Sequence, residues 1–226
     1  MRMLVVAAHP DDEVLGCGGT LARLARQGHD TYIAILGEGV TSRFASREEV
    51  GREAVARLHE RSRDVGRLLG VKEVFLSELP DNRFDTVPLL DVTKIVEDLV
   101  ERVRPDVLYT HHGGDLNVDH HLTCRAVLAA TRPVVGCPVE RVYSFEVPSS
   151  TEWAFQQLTP AFRADTFVDI TDTIDLKVQG MALYESETRP FPHPRSGEAL
   201  RVLARRWGSV VGRQYAEAFE LVRSIE

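Results

Sequence analysis

The chain alternates short apolar runs with amphipathic stretches. Met3-Leu4-Val5-Val6-Ala7-Ala8 is an unbroken apolar run, the pattern of a strand buried on both faces. An acidic turn, Asp11-Asp12-Glu13, leads into a helical pattern from Val14 to Arg26, with Leu15, Leu21, Leu24 and Ala25 on its apolar face and Gly28 as its stop. Gly16, Gly18 and Gly19 fall early in that helix, where glycine weakens the helix and so predicts close packing of its backbone on a sheet. Thr31 to Leu36 reads as a second strand, running into Gly37-Glu38-Gly39. Ser46 to Leu69 is charged, with Val50, Val55, Leu58, Val65, Leu68 and Leu69 spaced for one long or two shorter exposed helices.

Val74-Phe75-Leu76 predicts a third strand, followed by the loop Leu79 to Asp85 and an amphipathic helix from Leu89 to Val103 that Pro105-Asp106 breaks. Val107 to Thr110 reads as a fourth strand, opening into a polar loop, His111 to His120, and then a helix from His121 to Thr131. The last third is less regular: strands at Arg141–Glu146 and Thr166–Ile170, helices at Thr173–Tyr184 and Ser196–Trp207, and a loop at Pro190–Pro194. Alternation of strand and helix predicts an α/β fold, a Rossmann-like and mainly parallel sheet with helices on both faces. No linker, repeat or shift in composition divides it, so residues 1–226 are expected to form a single domain.

Composition narrows the function. With 43% hydrophobic and 27% charged residues the chain is ordinary globular material, long enough to bury a sizeable core. Its net charge of -7 offers no basic footprint for nucleic acid or an anionic membrane. No apolar run is long enough to span a bilayer and the N-terminus opens directly on a strand, so a cytoplasmic location is expected. Cys17, Cys124 and Cys137 are odd in number and widely spaced, which predicts reduced thiols.

The chemistry concentrates at Ala8 to Glu13, AHPDDE, where a buried strand ends in a histidine and three acids. Acids beside a core require water or a cation. In His9-x-x-Asp12 the side chains lie three apart, so a turn entering a helix can aim both at one ion; the competing account is that the acids only complement the helix N-terminus. Ligands collect outside the carboxyl ends of strands in open α/β sheets. Asn117-Val118-Asp119-His120, after the fourth strand, can therefore bring His120 to His9 and Asp12, and three protein ligands with an open position describe a catalytic rather than a structural zinc.

AHPDDE after an N-terminal strand, the glycine-rich helix start and the later x-x-DH before a helix resemble the LmbE-like/PIG-L family of zinc-dependent N-acetylsugar deacetylases. PDNRFDT (Pro80 to Thr86), HHxxDLNVDHH (His111 to His121) and PFPHPRS with YAEAF (Pro190 to Phe219) extend the resemblance, to a bacterial subgroup, over essentially the whole chain. It implies His9, Asp12 and His120 as ligands of Zn2+ or another divalent metal, Asp11 as general base, and a small N-acetylated sugar or sugar conjugate as substrate. It also allows for a homo-oligomer. Many relatives carry H-P-D-H where this chain has Asn117, and asparagine delivers no proton at neutral pH. Either Asp11 returns the proton it took, or His193 or His111 substitutes, with Asp119 orienting such a histidine.

Arg43, Asp81, Asn82, Arg83, His111 and Asn117 follow strands at positions where polar groups meet sugar hydroxyls, although plain loop roles account for them as well. His121 neighbours a ligand and is expected to point away from it. Two other functions compete. A nucleotide-binding module is disfavoured because Gly16-x-Gly18-Gly19 is not G-x-G-x-x-G and acids occupy the turn where a pyrophosphate would rest. A non-catalytic sugar binder is motivated by Asn117, and the retention of Asp11 beside a full ligand set argues against it.

Overall fold

The computed structural model describes residues 1–44 and 52–226. In chain order the elements are β1 (Arg2–Ala7), α1 (Asp12–Arg26), β2 (Asp30–Gly37), α2 (Arg52–Leu69), β3 (Glu73–Leu79), α3 (Leu89–Val103), β4 (Val107–His111), α4 (Val118–Ala130), β5 (Arg141–Phe145), β6 (Thr166–Asp169), α5 (Ile174–Leu183), α6 (Gly197–Val211) and β7 (Ala216–Ser224). The strands form one sheet in the order β3-β2-β1-β4-β5-β7-β6. The first five run parallel, and β7 is antiparallel to both β5 and β6. The expected α/β architecture is therefore present, with an antiparallel edge.

β1 is central, and its alternating side chains feed two cores, as the period of a strand requires. Met3 and Val5 pack with Leu15, Leu58, Val65 and Met181 from α1, α2 and α5. Leu4 and Val6 pack on the other face with Val92, Val96 and Val127 from α3 and α4. Burial on both faces is what the unbroken apolar run encodes. The glycines of α1 do bring its backbone close: a Cβ on Gly16 would lie 2.3 Å from the Phe145 ring of β5, and one on Gly19 would lie 2.8 Å from Ile170.

Three expectations need correction. α1 begins at Asp12 rather than Val14, so Asp12 and Glu13 belong to its first turn. α4 begins at Val118 rather than His121, because the Asn117 side chain caps it by accepting a hydrogen bond from Asp119 N at 2.8 Å; His120 is thus on a helix, not in a loop. The strand β7 is not among those the sequence pattern predicts. Ser46 and Val50 of the charged stretch lie outside the described residues, and Arg52 to Leu69 is one helix.

From β1 the chain moves outward to β2 and β3, then returns to place β4 on the other side of β1. The carboxyl ends of β1 and β4 therefore flank the point where strand order reverses, the place where such sheets open a crevice. His9 follows β1 and the segment His111 to His120 follows β4.

Candidate metal centre and its surroundings

The turn after β1 is shaped by its acids. Asp11 takes a left-handed conformation, φ 106°, costly for a residue with a Cβ, and its carboxylate makes no capping bond to α1. Glu13 holds that turn: its Oε2 accepts from Asp11 N at 3.0 Å and its Oε1 accepts from the Tyr184 hydroxyl at 2.6 Å. Asp12 Oδ2 accepts from His9 N at 2.9 Å, folding the turn back on itself. Helix capping thus accounts for Glu13, which takes the N–H of the N-cap residue, but not for Asp11 or Asp12, whose carboxylates bond elsewhere.

His9 Nδ1 lies 3.4 Å and His120 Nε2 lies 3.2 Å from the same oxygen, Asp12 Oδ2. One ligand atom from each of the three residues falls within 4.8 Å of the others. The far side of each ring meets a carboxylate. His9 Nε2 faces Asp119 Oδ2 at 2.9 Å and Asp81 Oδ1 at 3.3 Å. His120 Nδ1 lies 3.0 Å from Asp115 Oδ1, off the line of a good hydrogen bond, so that contact is chiefly one of charge. Carboxylates behind both rings favour protons on the outer nitrogens, which leaves His9 Nδ1 and His120 Nε2 as lone-pair donors beside Asp12. His9 with Asp81 and Asp119 forms a second acidic grouping, but through the nitrogen already engaged with those carboxylates.

The electrostatics agree. Burial works against charge on both histidines, yet Asp119, Asp12 and Asp81 lift His9 well above its ordinary pKa, and Asp12 and Asp115 lift His120 to about 9. Asp12, despite burial, is held well below the carboxylate range by His120 and His111, and Asp115 falls to about 2 through His120, Ser150 and Thr151. A pocket that draws protons onto two buried imidazoles is one whose negative potential favours a cation, and metal binding displaces such protons. Two imidazole nitrogens and a carboxylate oxygen, all nearly inaccessible, suit a divalent metal with positions left open.

Asp11 Oδ2 accepts from Arg195 Nη1 at 2.8 Å. Burial raises the Asp11 carboxyl well above its ordinary pKa, and the Arg195 guanidinium opposes that rise. Asp119, expected to orient a proton-donating histidine, instead spans His9 and the Phe84 N–H, which donates to its Oδ1 at 2.9 Å.

The remaining expected site residues divide. Asp81 is buried, and Asn82 and Arg83 are exposed at the same loop. Asn82 Nδ2 donates to Asp81 Oδ1 at 3.0 Å and to Ser42 Oγ at 3.2 Å. Asn117 Nδ2 donates to Asn82 Oδ1 at 2.9 Å, so this amide ties α4 to the loop after β3. Arg43 ends a short helical turn after β2, and its side chain lies outside the described residues. His111 is fully buried, accepts from Ala8 N at 2.8 Å and stacks on His120 at 4.0 Å, so its ring lies behind the cluster and not on an exposed surface. His193 is half-buried; its Nδ1 accepts from Arg195 N at 3.1 Å, and its ring meets Trp153 edge-on at 5.8 Å. His121 is exposed, as expected.

Sequence reasoning missed Asp115 and Arg195. Asp115 accepts from Asn117 N at 2.8 Å, from the Ser150 hydroxyl and from the Thr151 hydroxyl at 2.6 Å, and thereby holds His120 from behind. Its position inside a histidine-rich loop was the available signal. Arg195 lay within PFPHPRS with no local partner to reveal it.

Comparison with known proteins places this geometry. A diacetylchitobiose deacetylase of Thermococcus kodakarensis is 23% identical over 237 residues, covering 99% of this chain and 84% of that one. The conserved protein TT1542 of Thermus thermophilus superposes with a TM-score of 0.78 at 26% identity, covering 99% and 96% of the two chains. The 4-carboxy-2-hydroxymuconate hydratase GalB of Pseudomonas putida KT2440 has the same fold, TM-score 0.78 at 24% identity, covering 100% and 98%. Fold alone therefore does not choose the reaction. The family model described as PIG-L, GlcNAc-PI de-N-acetylase, matches residues 4–131, more than half of the sequence and every residue of the His9-Asp12-His120 cluster, and on that match the chain belongs to the PIG-L family.

Proposed function

We propose that this protein is a metal-dependent N-deacetylase that hydrolyses the acetamide of an N-acetylglucosamine-type sugar or sugar conjugate. His9, Asp12 and His120 hold the metal, zinc by the chemistry of the donors, and Asp11 is the general base. The observation that carries the reading is the convergence of His9 Nδ1 and His120 Nε2 on Asp12 Oδ2, with a buried carboxylate, Asp11, one residue away and outside that cluster. Relatives described as deacetylases of N-acetylated sugars support the substrate class.

A divalent cation at this site supplies Lewis acidity and makes water acidic enough to ionise near neutrality. Asp11, whose carboxyl is made more basic by burial, takes the proton of the attacking water. The water oxygen bonds to the acetamide carbon, the carbon–nitrogen bond breaks, and the proton passes to the departing nitrogen, so that the free amine leaves with acetic acid, which gives up its remaining proton to solvent as acetate. Asn117 holds no proton for this transfer and its amide is engaged with Asn82 and Asp119 N. His193, with a pKa lowered by burial and by Arg195, accepts a backbone hydrogen bond on Nδ1. Return of the proton by Asp11 itself is therefore the route we favour. Asn82 and Arg83, exposed at the rim, are the polar groups assigned to the sugar hydroxyls.

The test is metal analysis of the purified protein with acetate release from N-acetylglucosamine conjugates. Stoichiometric divalent metal and turnover abolished by Asp11→Asn at unchanged metal content are expected. Full activity in Asp11→Asn, or no bound divalent metal in an active enzyme, overturns the reading. Turnover-free sugar binding would favour the non-catalytic member instead.

A further inference from the structure

Arg195 reaches Asp11 from the far end of the chain, and each of its contacts is specific. Nη1 donates to Asp11 Oδ2 at 2.8 Å and to Glu187 Oε2 at 3.4 Å, and Nε donates to Ser149 Oγ at 2.7 Å. The backbone N–H of the same residue is held by His193 Nδ1. The next residue, Ser196, caps α6 by accepting from Ala199 N at 3.0 Å, so Arg195 projects from a fixed helix start.

The two partners at opposite ends of this guanidinium are both non-glycine residues in the left-handed region, Asp11 at φ 106° and Ser149 at φ 73°. Each conformation is costly and needs other contacts to hold it. Glu13 supplies them at Asp11, and Glu152 at Ser149, where its Oε1 accepts from Ser149 N at 2.6 Å. The segment that carries Ser149 also carries Ser150 and Thr151, which grip Asp115 behind His120. Strain is thus concentrated at the points where the arginine is attached.

The hydrogen bond also divides the Asp11 carboxylate. Oδ2 is occupied by Arg195, whereas Oδ1 has no hydrogen-bond partner among the described residues. A base that must take a proton and return it requires one oxygen free and the other fixed, since a carboxylate turning about its Cβ–Cγ bond would carry the free oxygen away from the reacting water.

We propose that Arg195 is a positioning residue for the reaction: clamped by Ser149 and His193, it fixes the Asp11 carboxylate by Oδ2 and presents Oδ1 to the attacking water. This rests on the reading of Asp11 as general base. It assigns Arg195 no contact with the acetyl group, and it gives the His193-Pro194-Arg195 segment a purpose that sequence reasoning had sought in His193 itself.

The test compares Arg195→Met, Arg195→Lys and Arg195→Ala with the parent holoenzyme for kcat, KM, metal content and Tm. Loss of orientation is expected to lower kcat by about 100-fold in Arg195→Met with KM changed little. Metal content stays at the parent value. Guanidinium ion at millimolar concentration restores part of kcat in Arg195→Ala, whereas ammonium does not, because a planar donor is required. Three results overturn the proposal: kcat of Arg195→Met near that of the parent, a loss confined to KM, or a loss that guanidinium leaves untouched in a variant of parental Tm and metal content. A parent enzyme inert towards N-acetylhexosamines but active on another acylated amine sinks the sugar reading and leaves this test intact on that substrate.

Discussion

Asp115 gives the sharpest test of how the metal cluster is built. The residue is 2% exposed, its Oδ1 accepts from Asn117 N and Ser150, its Oδ2 accepts from Thr151, and Oδ1 stands 3.0 Å from His120 Nδ1. Its folded-state pKa, about 2 against an ordinary 3.8, is depressed, so the ionised form stabilises the fold. For a depressed carboxyl that stabilisation is present above the unfolded pKa and disappears as pH falls through the folded one, so it is complete at pH 7. Its size follows from the shift, on the order of 2 kcal/mol. Asp115→Asn keeps the volume, removes the charge and leaves one side-chain oxygen for three donors. Urea unfolding of the metal-free protein is expected to show a loss of roughly 2 kcal/mol, constant between about pH 5 and pH 7. Competition with a chromophoric chelator is expected to show zinc affinity about 10–100-fold weaker, as for other carboxylates behind a ligand histidine. Affinity within about threefold of the parent, with stability changed by less than about 0.5 kcal/mol, would refute the claim that Asp115 supports His120.

Two further perturbations probe the turn and its packing. Glu13 has a folded-state pKa raised to about 7 by burial, so its contribution is greatest below its ordinary 4.5 and is lost as pH rises through 7; Glu13→Gln is expected to flatten the fall in stability over that window, by on the order of 3 kcal/mol in urea titrations, and an unchanged slope rejects this. Gly16→Ala drives a methyl to within 2.3 Å of Phe145, and a cost of roughly 1–3 kcal/mol with a Tm lowered by several degrees is expected; a neutral substitution in calorimetry would show that β5 gives way more easily than its burial implies.

What the sequence made legible was what rests on local pattern. The apolar run of β1 and the helix faces are periodicities, and the short-range His9-x-x-Asp12 spacing does bring the two side chains together. β7 did not, because Glu217 falls inside it: this acid is 4% exposed and is satisfied at a distance, accepting from Gly19 N, Thr20 N, the Thr20 hydroxyl and Lys177 Nζ. A buried ion pair breaks the apolar signal that announces a core strand. Arg195 was hidden for the same reason, since its partner Asp11 is 184 residues away and an arginine in a proline-rich loop otherwise reads as solvated surface.

The candidate metal cluster joins segments at the strand ends, not cores, and this predicts how the protein responds to chelation. His9 comes from the turn after β1, Asp12 from the first turn of α1 and His120 from the first turn of α4, and their carboxylate supports are anchored elsewhere: Asp119 by Phe84 N beyond β3, Asp115 by Ser150 and Thr151 beyond β5. Segments that follow four strands therefore meet at one point, while the cores on either face of the sheet are held by side chains that do not take part. If a cation holds this joint, withdrawing it leaves protons on His9 and His120 in its place, in line with their raised pKa values. A chelated sample is expected to keep its far-UV circular dichroism and a cooperative urea transition, and zinc at about 100 times its Kd to add roughly 3 kcal/mol by mass action. Loss of secondary structure on chelation would mean that the metal is structural, and would contradict a site in which every ligand stands outside the two cores.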